Sequence, residues 1–397
     1  MFKNIPTLNN PERFAKAPEL SKNKLNDAAE KAIKKLETFI PRFYDKFPNT
    51  CTENFKHTPG DTFNWESGML TGAFWLAYEL TGDKKFRDVA ERHIDIYAEG
   101  FNNPIYYNDH DTGFIIIPSC IAGYKLTGSE KARETALKAA EVLNDHYSWI
   151  NHFVIRSGKG ETDPKRYYCY RTMVDSMMNI PLFYWAYEQT DDEKFLIAAN
   201  EHYRTTMKYL IREDGSSFHH YQFDPKTHRA VGGVTLQGNS DNSCWGRGHS
   251  WLLYGFPIAY SYTGNAEIPD VHKAVSYFML NKLPSDYIPY WDFDFTEGSP
   301  ESRDTSVAAI TACGFNEMCR HLPDDSEQKK IFANASALML NALIDNCQAK
   351  DDEDGLINKV THAKPQGQGI EECAVYGDYF YLEAIMRYLR PDWKMYW

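Results

Sequence analysis

No stretch of this chain is apolar for the length that a bilayer-spanning helix needs, and its opening residues, MFKNIPTLNNPERFAKAPELSKNKL, lack the apolar core and small-residue cleavage site of a secretory signal. The expectation is a cytoplasmic protein. Blocks rich in Lys and Arg are missing too, and a net charge of −12 with a pI near 5.6 argues against nucleic acid and anionic membrane as partners. Small molecules are the partners this charge balance allows. The eight cysteines are scattered, with no C-x-x-C pair and no Cys/His spacing that suits zinc, so they read as reduced core thiols. A G-x-S-x-G elbow and a Gly-rich phosphate loop are both absent, which removes the usual signals of serine nucleophiles and nucleotide binding. No His or carboxylate pair stands at i and i+4 on a convincing helix with a third ligand in view, so neither a metal nor a cofactor is expected.

What is present is a large core and a repeated device. With 397 residues, 43% hydrophobic and 15% aromatic, the chain can bury a large core, as one big domain or two, and no Gly/Ser/Pro-rich linker divides it. Four times an apolar helix runs into a short turn and an amphipathic helix follows: Ala77 to Asp83 (AYELTGD), Gly123 to Ser129 (GYKLTGS), Ala186 to Asp192 (AYEQTDD) and Ala259 to Asn265 (AYSYTGN). Gly or Asp at the turn suits a left-handed helix cap, and the Asp, Ser or Asn beside it can cap the next helix. Weaker echoes lie at Met318 to Asp325 and Ala384 to Leu389. Stretches after the turns, such as Lys84 to Glu99, place apolar residues three and four apart, while those before them are apolar nearly all round. Six hairpins of a buried and a half-exposed helix predict an all-α fold, an (α/α)6 barrel with inner and outer rings. We assign residues 1–23 to an N-terminal extension, disordered or loosely docked, and residues 24–397 to the single barrel domain.

One carboxylate breaks the apolar pattern. The run Arg171 to Ala186, RTMVDSMMNIPLFYWA, reads as helical and places Asp175 among Met and aromatic residues. An ionised, unpaired carboxylate there would cost several kcal/mol, so Asp175 is either a satisfied core residue bracing a neighbour or a neutral acid with a raised pKa. The connections entering the inner helices carry more polar and aromatic residues than packing requires. They include Trp65 and Glu66, His110 and Asp111 in YNDHDTGF, His219 and His220, Gln237 with Trp245, Arg247 and Trp251, and Trp291, Asp292, Arg303 and Asp304. Gathered at one end of a barrel they would form an aromatic-lined cup of the kind that binds sugars, rings packing on C–H faces and polar groups bonding hydroxyls.

These strings resemble the unsaturated glucuronyl hydrolases of glycoside hydrolase family 88, from about Lys24 onward. The matches are Asn64-Trp65 with Ser67-Gly68, His110-Asp111 with Gly113-Phe114, Arg171 with Asp175, Asn179 to Leu182, Ser216 to Pro225 and Gln237 to Trp251. Further along come Tyr290 to Phe293, Arg303-Asp304, Ala309 to Gly314 and Tyr376 to Ala384. The resemblance implies an (α/α)6 barrel that removes a Δ4,5-unsaturated uronic acid from the non-reducing end of oligosaccharides left by polysaccharide lyases, of the glycosaminoglycan disaccharide type, by hydrating a vinyl ether. By the same carry-over the acid/base falls on Asp175 and a second active-site carboxylate on Asp111. Trp65, His110, His219, Gln237, Trp245, Arg247 and Trp251 would line the sugar-acid pocket, with His362 and Lys364 as further contacts.

Two departures concern specificity. A Trp that some relatives place before the acid/base segment is replaced around Arg156, in a loop from Ser157 to Tyr170 that is longer here. Between Thr361 and Gly369, relatives that accept sulfated substrates carry Ser and Lys where this chain has Ala363, Gln366 and Gln368. Competing readings are an unsaturated rhamnogalacturonyl hydrolase, an inverting glycosidase on the same barrel with Asp175 as acid and Asp111 activating water, and a non-catalytic glycan-binding protein.

Overall fold

The computed structural model describes residues 5–102, 109–156 and 170–397. Helices α1 (Lys22–Phe43), α2 (Ser67–Thr81) and α3 (Lys84–Asn102) come first, followed by α4 (Thr112–Ile116), which continues through a π-helical turn (Ile117–Ile121) into α5 (Ala122–Thr127). Helices α6 (Glu130–Asp145), α7 (Pro181–Thr190), α8 (Glu193–Tyr209), α9 (Gly246–Thr263) and α10 (Ile268–Lys282) follow, then α11 (Thr305–Cys319), α12 (Glu327–Asn346) and α13 (Val375–Leu389). The inner ring runs α2, α4–α5, α7, α9, α11, α13 and back to α2, while α3, α6, α8, α10, α12 and α1 pack outside it. This is an (α/α)6 barrel.

The turn chemistry explains the hairpins. Gly82, Gly128, Asp191 and Gly264 end their helices with φ of 72°, 71°, 55° and 59°, the left-handed cap. In the first three the next residue then caps the outer helix. Asp83 accepts from the Lys85 amide at 3.0 Å, Ser129 from Ala132 at 3.4 Å, and Asp192 from Lys194 at 3.1 Å. The expected sixth hairpin at Ala384 to Leu389 is different: among the described residues the outer partner of α13 is α1, from the N-terminal side of α2. The extension read as disordered or loosely docked is anchored between Pro11 and Phe14. Arg13 donates to the carbonyls of Leu283 (2.8 Å) and Pro284 (2.7 Å), and Phe14 is 1% exposed beside α12.

The run Arg171 to Ala186 is not one helix. After the two-residue strands β1 (Phe47–Pro48), β2 (Pro59–Gly60), β3 (Tyr147–Ser148) and β4 (Phe153–Val154), Arg171–Met173 is strand β5, Val174–Met178 a 3-10 turn, and α7 starts at Pro181, whose ring suits a first helical position. The strand forms because β6 (His220–Phe223) pairs antiparallel with it, Met173 opposite His220, and β7 (Ala230–Val234) adds a third strand on the far side of β6. Asp175 therefore stands at a strand-to-helix corner, not mid-helix.

Inner helices cross closely where glycine allows it. A Cβ at Gly68 of α2 would lie 2.1 Å from the Ile115 carbonyl oxygen and 2.4 Å from its Cα on α4. Gly68→Ala must push two backbones apart, so a loss of about 1–3 kcal/mol and a Tm several degrees lower are expected, measured by calorimetry.

Candidate active site

The inner-helix connections gather around a cavity of about 520 Å³. Trp65, preceding α2, lines one wall, its ring stacked on Tyr376 of α13 (5.3 Å, 24°) and tilted on Phe114 (5.4 Å). Asp109, His110 and Asp111 line it from the turn before α4, and Met173 and Asp175 from the β5 corner. Strand β6 supplies His220, and His219 just ahead of it; Leu236, Gln237, Trp245 and Arg247 come from the segment leading into α9. Arg156 and the loop bearing His362, Ala363, Gln366 and Gln368 complete the lining.

The two carboxyls differ in their partners. Asp111 Oδ1 accepts from Asn179 Nδ2 at 3.1 Å, and its Oδ2 lies 3.4 Å from His110 Nε2. His110 is buried between Asp111 and Asp109, with its Nδ1 against the Asp109 carboxylate. Burial opposes charge on that ring, but the two flanking carboxylates lift its pKa above the ordinary value. Asp109, His110 and Asp111 also bring three ligand-type atoms within 4.8 Å of one another; the two-sided contact of His110 makes them a carboxylate–imidazole–carboxylate chain.

Asp175 is 9% exposed, and its Oδ2 has no hydrogen-bond partner. Burial first, and the nearby Asp111 second, push its pKa up to about 7. His219 stands opposite, Nε2 3.8 Å from Asp175 Oδ2. Its Nδ1 is approached by the amides of Leu236 (3.3 Å) and Gln237 (3.4 Å), so Nδ1 is the acceptor and Nε2 carries the hydrogen. Burial, aided by the Arg171 and Arg247 charges, drives its pKa well below the usual value, which keeps the ring neutral.

Arg247 supplies fixed positive charge. Its side chain is 1% exposed and pairs with Asp304 at 2.9 Å, donates to the carbonyls of Thr361 (2.8 Å) and His362, and lies over the rings of Trp245 (4.6 Å) and Tyr376 (4.8 Å). Gln237 Nε2 donates to the same His362 carbonyl at 3.1 Å, tying the two loops into one wall.

Two expected contacts are not in the cavity. Trp251 is 1% exposed and packs beneath Phe114 (5.0 Å) and against Phe380 (5.4 Å), because its place one turn into α9 points it into the inner core. Lys364 turns away to pair with Glu301 and donate to Ser302 at 3.0 Å. Trp291, Asp292, Arg303 and Asp304 also lie outside the lining; Asp304 acts through Arg247, and Asp292 accepts from Asn239 (2.8 Å) and Ser243 (2.7 Å) to brace the loop before α9. Tyr107 and Asn108 of YNDHDTGF and residues 157–169 lie outside the described residues. Met173, Leu236 and Asp109 carry no sequence signal that marks them for the site. For Asn179 the available signal is a second polar side chain one turn after Asp175.

An (α/α)6 barrel holding two differently partnered carboxyls, Asp175 buried and Asp111 half-buried, in an aromatic, polar cup has the site of a glycoside hydrolase. The chain matches Glycosyl Hydrolase Family 88 over residues 39–381 and belongs to that family. It is 37% identical over 396 residues to the unsaturated chondroitin disaccharide hydrolase of Streptococcus pneumoniae, covering 99% of this chain and 98% of that one. The crystal structure of unsaturated glucuronyl hydrolase from Streptococcus agalactiae superposes with a TM-score of 0.95 at 35% identity, covering 100% of this chain and 99% of that one. An aspartate-to-asparagine variant of the latter enzyme, complexed with dGlcA-GalNAc6S, matches with a TM-score of 0.89 at 34% identity and the same coverage.

Proposed function

We propose that this glycoside hydrolase removes a Δ4,5-unsaturated uronic acid from the non-reducing end of lyase-generated disaccharides by hydrating the C4=C5 vinyl ether. The observation that carries the reading is Asp175, a carboxyl held near pKa 7 beside a second carboxyl, Asp111, whose two oxygens both face donors. Neutral Asp175 gives its proton to C4, and the positive charge that develops at C5 and the ring oxygen is offset by ionised Asp111. Water adds at C5, Asp175 as carboxylate takes the proton released, and the hemiketal opens and expels the aglycone. The acid is thereby regenerated and one water is consumed. Trp65 and Trp245 offer ring faces to the sugar, while His110, His219, Gln237, His362 and Arg247 surround its hydroxyls and carboxylate. The names and bound disaccharide of the relatives support this substrate class. A cytoplasmic location fits the free thiols Cys51, Cys120, Cys244, Cys313, Cys319, Cys347 and Cys373, and no helix among the described residues is long and apolar enough to cross a membrane.

The deciding assay follows the ultraviolet absorbance of the conjugated C4=C5 acid on lyase-generated disaccharides, beside a saturated analogue. This enzyme consumes only the unsaturated sugar. Cleavage of the saturated one would establish an inverting glycosidase instead, and no change in either would leave a binding protein.

The aglycone wall distinguishes this chain within that class. Its loop offers Ala363, Gln366 and Gln368, all uncharged, and Gln366 spends its amide on the Leu236 carbonyl at 2.7 Å. Unsulfated disaccharides are expected to react as well as singly sulfated ones, or better. Charge-assisted hydrogen bonds contribute about 1.5–3 kcal/mol, so Ala363→Ser, Gln366→Ser and Gln368→Lys together raise kcat/KM for a sulfated substrate about tenfold or more. A wild-type enzyme that already prefers the sulfated member of a matched pair would place sulfate recognition elsewhere.

A further inference from the structure

Asp111 and Asp175 are the same kind of group in one cavity, so their surroundings must decide which is the anion and which keeps its proton. Asn179, fully buried just after the 3-10 turn, touches both segments. Its Nδ2 donates to Asp111 Oδ1 at 3.1 Å and approaches the Asp175 backbone carbonyl at 3.4 Å, while its Oδ1 accepts the Phe114 amide at 3.0 Å. These contacts fix the orientation of the amide. A half-turn flip would set its carbonyl against the Asp111 carboxylate and its NH2 against the Phe114 N–H, two repulsive contacts in place of two bonds. The Asn179 backbone also lies close against Gly113, where an added Cβ would stand 2.5 Å from the Asn179 Cα and 2.6 Å from its carbonyl oxygen. A donor is therefore aimed permanently at Asp111, and the Asp175 side chain receives none from it.

We propose that Asn179 is the positioning residue that divides the roles of the two carboxyls, holding Asp111 as the anion at a set place relative to Asp175. The proposal rests on the hydration reading above. The titratable and charged groups facing Asp111 are Asp109 and His110 on its own turn, Arg156, Asp175, and Glu66 at the start of α2. Burial raises the Asp111 pKa most strongly and Asp109 adds to it, while His110, Asn179 and Arg156 lower it. Removing the Asn179 donor leaves the raising influences less opposed.

The test uses the full-length enzyme and an unsaturated unsulfated disaccharide. Asn179→Ala should lower kcat about tenfold or more and move the acid limb of kcat/KM, where Asp111 must be ionised, upward by about one pH unit, leaving the alkaline limb in place. In an Asp111→Asn background the same substitution should change kcat less than about threefold, its target having been removed. A full repeat of the loss in that background, or an unmoved acid limb, overturns the proposal. Asn179→Asp covers the case in which the Ala variant does not fold: it keeps the shape and the acceptor for Phe114 and reverses the polarity toward Asp111. It should move the acid limb at least as far, and a wild-type profile for this variant overturns the proposal too. Carboxyl-carbon NMR titration of Asp111 in wild type and Asn179→Asp reports the same hold without turnover. A raised Asp111 midpoint in a protein that leaves the unsaturated sugar intact would sink the hydration reading and keep the Asn179 assignment.

Discussion

Asp175→Asn is expected to lower kcat by at least ~10²-fold and to leave substrate binding largely unchanged, the pattern that loss of a general acid would give. Asparagine keeps the shape at the strand-to-helix corner and has no proton to give. The pH behaviour follows from the direction of the shift. Burial first and Asp111 second lift the carboxyl to about 7, so the protonated form that the reaction requires is present below that value and lost as pH rises through it. Wild-type kcat/KM is accordingly expected to decline on the alkaline side from near neutrality, and the residual rate of the variant to show no such limb. Steady-state kinetics over pH, with calorimetric binding of the unsaturated disaccharide to the variant, measure both. Near wild-type turnover in Asp175→Asn would end the mechanism.

Asp111→Asn is the second large effect, about 10²-fold or more in kcat, because an anion facing the developing positive charge becomes a neutral amide. The substitution also sets a new amide against Asn179 Nδ2 and His110, where a carboxylate had taken both contacts. Since each carboxyl affects the other's proton, the two losses are not independent. The double variant should lose clearly less than the product of the single effects. Full multiplicative loss in single-turnover measurements would show two groups acting separately.

The helical hairpins were legible because their signals are local: a left-handed Gly or Asp cap and the Asp, Ser or Asn that follows need only a few residues to be read. Asp175 was legible as an anomaly in an apolar run, yet its setting was not. Strand β5 exists only because β6, nearly 50 residues later, pairs with it, and helical periodicity cannot announce a distant partner. Trp251 and Lys364 were misplaced for a related reason. An aromatic or a lysine near a pocket looks the same in sequence whether it faces in or away, and Phe114 and Glu301 decided the direction. Asn179 has no signal of the hairpins' kind, because an isolated amide has no spacing signature; three hydrogen-bonding contacts with two segments give it its meaning.

The seam of the barrel is where its two ends meet. Thr52 donates its backbone amide to the Cys373 carbonyl at 2.9 Å, a pairing 321 residues apart in sequence, and Trp65 stacks on Tyr376 across the same junction. One wall of the cavity thus exists only after α13 has docked between α11 and α2. Contacts of such span carry a high loop-closure cost and form late, so a growing chain passes through most of its length as an open arc. In that arc Asp111 and Asp175 can already be adjacent while Trp65 still lacks the Tyr376 ring that backs it. Turnover would then report completion of the circle, and a chain in which α13 cannot dock on α2 is expected to lose activity before it loses helices.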